Sequence, residues 1–130
     1  MGVYYSSISK RTKNIDGIEV AFTNFYGKAP SVFAENTRRW NTFLTRAENT
    51  ADEMKGKVKY AIAAKDTAEI REYGYCDLYK WSGEYLLHDN FKDKNWCGAV
   101  FYIGYGKYEI VFGEAAQQRM YEMDKERRAA

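Results

Sequence analysis

Proline occurs once in this chain, histidine once and cysteine twice, and each scarcity closes off a class of chemistry. With His88 as the one histidine, no multi-histidine zinc centre can form, since catalytic zinc ordinarily takes three protein ligands. His88 with Cys76 and Cys97 would make a Cys2His set, but nothing in their spacing favours it, and no cofactor or metal is expected. The two cysteines belong to no CxxC pair and make no disulfide framework, so they read as thiols of a reducing compartment. No stretch approaches the ~20 apolar residues that span a bilayer. The opening segment MGVYYSSISKRTK lacks the apolar core of a secretory signal. A cytoplasmic protein without a membrane partner is therefore expected. Charge of one sign is missing too: 20 basic residues face 18 acidic ones, for a net charge of +2 and a pI near 8.4. That balance falls well short of a dedicated duplex-DNA binder.

What is present is aromatic surface. Twelve Tyr and seven Phe stand in 130 residues that are 45% hydrophobic, enough to bury one core, so residues 1–130 are expected to form a single domain. Aromatic side chains fit a pleated surface, which points to a sheet-rich fold. VYYSSIS and GIEVAFTNF read as two strands joined by a polar turn holding Asn14 and Asp16-Gly17. Ile18, Val20 and Phe22 alternate onto one side of the second strand, with Glu19, Ala21 and Thr23 on the other.

Over residues 31–55 the period changes. Phe33, Trp40, Leu44, Ala47, Ala51 and Met54 recur at helical spacing, Pro30 marks the start and Gly56 the end. KVKYAIAA follows as a strand, and Asp66 with Glu69 has capping-box spacing for a short helix. YGYCDLYKWSGEYLLH reads as a hairpin turning at Trp81-Ser82-Gly83, and DNFKDKN as a polar loop. WCGAVFYI and KYEIVFG flank Gly104-Tyr105-Gly106, and a closing helix carries Ala116, Met120 and Met123 on one side. The expected class is α+β: a mainly antiparallel sheet with one long helix packed on it and a C-terminal helix.

Motifs with chemical meaning fail on context. Gly104 and Gly106 begin a dinucleotide-type loop, but the third glycine position is Glu109 and no helix follows directly. Tyr102-Ile103-Gly104 and Gly2-Val3-Tyr4 echo the paired tripeptides of GIY-YIG nucleases. In that family the tripeptides sit close together in sequence, whereas here nearly the whole chain separates them. Glu53-Met54-Lys55 has the E-x-K form of metal-dependent nucleases but closes a helix, where Lys has a macrodipole explanation. A hydrolase or nuclease centred on His88 and Asp89 is the weakest of three functional readings.

The other two rest on arginine and tyrosine. Lys10, Arg11 and Lys13 cluster in the first turn, and Arg38, Arg39 and Arg46 on the long helix. Glu35 stands at ion-pair spacing from Arg39. More tyrosines lie in predicted strands than a small interior can absorb with satisfied hydroxyls, so an outward aromatic surface is expected. Its binding set is Arg38, Arg39, Arg46, Tyr75, Tyr79, Trp81, Tyr85 and Tyr105. The preferred reading is a non-enzymatic binding protein that acts by occlusion or sequestration, its partner another protein or a second copy of itself. In composition alone it is like the accessory inhibitors of mobile genetic elements, those of bacterial defence included. The alternative is a nucleic-acid or nucleotide binder, with arginine on phosphate and tyrosine stacked on bases.

Overall fold

A computed structural model describes residues 4–28, 38–84 and 87–129, without the side chains of residues 4, 5, 25–28, 39 and 87–90. In chain order these form β1 (Tyr4–Ile15), β2 (Ile18–Lys28), α1 (Arg38–Met54), β3 (Tyr60–Ile62), α2 (Thr67–Tyr73) and β4 (Tyr75–Lys80). There follow β5 (Leu87–His88), α3 (Asp89–Asn95), β6 (Trp96–Gly104), β7 (Lys107–Phe112) and α4 (Glu114–Ala129). The strands make one seven-stranded sheet in the order β5-β1-β2-β3-β4-β6-β7. β2 and β3 run parallel, which the long connection through α1 permits, and the other neighbours are antiparallel. The chain is therefore α+β, with the expected mainly antiparallel sheet, long helix and C-terminal helix.

Strand alternation sends side chains to both faces, and both are covered. Ile15, Val20, Phe22, Ile62, Cys76, Leu78 and Val100 pack together with Ile70 of α2. On the opposite face Ile8, Ala21, Ala61 and Tyr79 meet Ala51 and Met54 of α1 and Phe91 of α3. Further along that face Ala99 and Phe101 lie under Ala116, Met120 and Met123 of α4. Phe101 is fully buried, and burial of a side chain that size contributes about 1.5–3 kcal/mol.

Local signals set the element ends. Asp16 and Gly17, at φ 53° and 81°, make a type I′ turn between β1 and β2. The sheet curls far enough for the Asp16 carboxylate to accept the Ile110 N–H of β7 at 2.7 Å. Asp66 caps α2 by accepting the Glu69 N–H at 2.9 Å, while the Glu69 carboxylate takes the Lys65 N–H. Gly74 ends the same helix in the left-handed region.

Four expectations need correction or fall outside view. DNFKDKN is the helix α3 instead of a loop, because Phe91 turns inward and anchors it in the core. The hairpin at Trp81-Ser82-Gly83 does not form: β3 and β6 already occupy both edges of β4, so Leu87 and His88 pair instead with Ser6 and Tyr5 of β1. Lys10, Arg11 and Lys13 lie within β1 and not in a turn. The long helix is described from Arg38 to Met54; its expected start at Pro30 and Ser31, and Phe33 and Glu35, lie outside the described residues.

Candidate functional site

Strand parity decides which aromatic residues reach the surface. Tyr75, Asp77 and Tyr79 of β4 point to the face that α1, α3 and α4 cover. Tyr79 is 4% exposed, with its ring 6.2 Å from that of Phe91. Burial, with the Asp77 carboxylate nearby, pushes the Tyr79 hydroxyl up from its ordinary pKa. Trp81 is 3% exposed; its indole N–H donates to Glu84 O at 2.6 Å and its backbone N–H to Lys59 O. Tyr79 and Trp81 are thus core residues, a correction to the expected outward binding set. Their polar atoms reach partners without leaving the interior.

Tyr75 is half-buried and its hydroxyl donates to the Asp124 carboxylate of α4 at 3.0 Å. Burial first, then neighbouring Tyr73 and the bond to Asp124, push the phenol up. Tyr85 lies outside the described residues. Arg39 is in α1 with its side chain undescribed, while Arg38 and Arg46 are exposed on that helix. Tyr105 is 99% exposed at the β6–β7 turn.

Arginine and aromatic rings do meet, in a place the sequence did not indicate. Arg127 of α4 stands 4.1 Å over the Tyr73 ring and donates to Tyr73 O. Tyr73 meets Tyr75 edge-on at 5.0 Å, and Tyr75 lies 5.9 Å from Phe101. Arg119 stands 4.2 Å over Phe101 and pairs with Glu109 of β7. Each such cation–π contact contributes about 0.5–1 kcal/mol at exposed sites, so the ladder stitches α4 to the sheet. Ala116, Arg119, Met120, Met123 and Arg127 follow one helical stripe. The methionines pointed to that stripe; the arginines interleaved in it were the available signal for the ladder.

At one end of this ladder lie three of the exposed large hydrophobic side chains among the described residues. The Tyr102 N–H donates to Gly74 O at 2.9 Å, laying the end of β6 beside the end of α2. That brings Tyr73, 49% exposed, to the same end as Ile103, 45% exposed, and the Tyr105 turn. Tyr105 and Gly106 have φ of 54° and 72°, a second type I′ turn, with tyrosine where Asn, Asp or Gly is preferred. The Gly106 N–H donates to the Tyr102 hydroxyl at 3.3 Å. Burial pushes both thiols, Cys76 and Cys97, up from the ordinary range.

A cleft of about 740 Å³ opens where β3 stops short, with Thr23, Asn24, Lys65, Glu69, Glu72 and Lys92 among its walls. Two of these polar groups are already committed to the fold: the Thr23 hydroxyl donates to Ile62 O, and Glu69 holds Lys65 N. His88 ends β5 with its backbone paired to Tyr5. Among the described residues no three His, Cys, Asp or Glu side chains stand close enough to hold a metal ion. None of the described helices is long and apolar enough to cross a membrane.

Comparison with known families, with characterised proteins and with solved structures finds no match to this chain.

Proposed function

We propose that this chain is a non-enzymatic binding protein that docks a protein partner on the end of the sheet carrying Tyr105, Ile103 and Tyr73, and acts by occluding or sequestering it. One observation carries this reading. Tyr105 holds a left-handed backbone, a conformation that costs a non-glycine residue about 1–2 kcal/mol, and its side chain is 99% exposed. The turn would close better on Asn or Gly, so the ring answers no need of this fold. A rigid amphipathic ring with few rotamers to lose is a favourable contact group for a partner.

Ile103 and Tyr73 beside it enlarge the apolar contact, and Arg127 stacked on Tyr73 adds a charged rim. Free thiols at Cys76 and Cys97 fit a reducing cytoplasm. Occlusion by a compact surface is the mode of small accessory inhibitors, and the anti-defence type from mobile elements is the class we favour.

Site-specific photocrosslinking tests it. A crosslinking residue at position 105 should trap one stoichiometric protein in the producing cell, and one at exposed Tyr121 should not. Equal adducts at both positions, or a Tyr105→Asn variant that competes fully for the trapped protein, would sink the reading.

A further inference from the structure

α1 presents a second surface, chemically unlike the first. Arg38, Asn41, Thr42, Thr45 and Arg46 line a shallow groove of about 590 Å³. Their spacing of three, four, seven and eight residues from Arg38 puts them on one side of the helix. The two guanidinium groups start about 12 Å apart along the axis, at 1.5 Å of rise per residue. Between them stand an amide and two hydroxyls, and the described lining includes no carboxylate and no ring.

The charges of α1 are sorted along its length. Arg38, Arg39 and Arg46 occupy the first half, and Glu48, Asp52 and Glu53 the second. The acidic half has a use inside the fold, since Glu53 pairs with Lys10 of β1 at 2.9 Å. Among the described residues Arg38 and Arg46 make no ion pair.

From this we infer that the Arg38–Arg46 side of α1 is a contact site for the sugar-phosphate backbone of a nucleic-acid duplex. Guanidinium forks match phosphate oxygens, and Asn and Thr are among the neutral side chains that hydrogen-bond them. A single strand is disfavoured because its binders add stacked aromatic rings, and the described lining of this groove has none. An acidic protein segment is disfavoured because the described lining offers no large apolar anchor. With two arginines engaged, the contact is weak and independent of base sequence, in the ~10⁻⁴–10⁻⁶ M range of non-specific binding at physiological salt.

Fluorescence anisotropy with a labelled duplex of mixed sequence, read across a salt series, tests the site on the intact chain. The expected slope of log affinity on log salt is about −2, from ~0.9 per phosphate neutralised by each of the two arginines. Arg38→Gln with Arg46→Gln should bring the slope close to zero while circular dichroism and melting stay unchanged. Tyr105→Asn should leave it alone, which separates this site from the protein-docking end. Three results would overturn the inference: no binding at low salt, tighter binding to the matching single strand, or an unchanged slope in the double variant. Displacement of the duplex by polyglutamate at equal charge concentration would also overturn it, in favour of an acidic protein.

Discussion

The β1–β2 and β6–β7 hairpins turn with the same backbone. Asp16 and Tyr105 sit at φ 53° and 54°, each followed by a glycine in the left-handed region. At Asp16 the residue suits the turn, and its carboxylate reaches Ile110 of β7 at 2.7 Å. At Tyr105 the residue is poorly suited and its side chain stands in solvent. One tip is therefore explained by the fold and the other is not. A residue whose conformation costs stability and whose side chain returns none is where a search for function should begin.

Substitutions can break this contrast, beginning with the largest effect. A Cβ added at Gly98 would lie 2.3 Å from Val111 O, so Gly98→Ala must push β7 away from β6. It should lower stability by about 3 kcal/mol in urea titration and abolish docking with it, since both strands of the Tyr105 hairpin separate. Asp16→Ala should lower stability by about 2 kcal/mol, because the Ile110 N–H loses its charged acceptor and the turn its preferred residue. Asp16→Asn, which keeps the turn, should recover about half of that loss.

Tyr105→Asn inverts the usual sign. It should raise stability by about 1 kcal/mol, from relief of the left-handed strain, and remove partner capture. A neutral or destabilising result would mean that the ring packs on its own protein and that the two tips do not differ in kind. The smallest effect concerns the base of the Asp16 hairpin. Lys10, through its hydrogen bond and charge, holds the exposed Glu53 carboxyl below its ordinary value of 4.5. Because the folded pKa is the lower one, this pair contributes stability above the unfolded value, and the contribution is lost as pH falls through the folded value. Lys10→Ala should remove that slight acid dependence from melting curves between pH 7 and about pH 3 and leave the docking end untouched.

The hairpins were legible because Asp16-Gly17 and Gly104-Tyr105-Gly106 fix their own backbones within a few residues. The stripe through Ala47, Ala51 and Met54 and the cap at Asp66 are local in the same sense. The pairing of Leu87 and His88 with β1 was not legible, since it depends on β4 having both edges filled. Nor was the inward turn of Tyr79 and Trp81: alternation says which residues share a face, but not that helices cover both faces. Of the candidate sites, exposed Tyr105, Arg38 and Arg46 could be named from the chain. Tyr73 with Arg127 and Phe101 with Arg119 could not, because each pair joins segments distant in sequence through a helix whose placement only the sheet determines.

With the Ile110 amide already held by the Asp16 carboxylate, β7 offers an incoming strand a ladder with one rung taken. A visitor pairing across Ile110 would have to break a charge-assisted bond before adding itself side by side, which disfavours edge-to-edge association through β7. A partner docking on the Tyr105 end, as proposed, would meet the tip end-on, with Tyr105 entering a hollow in its target.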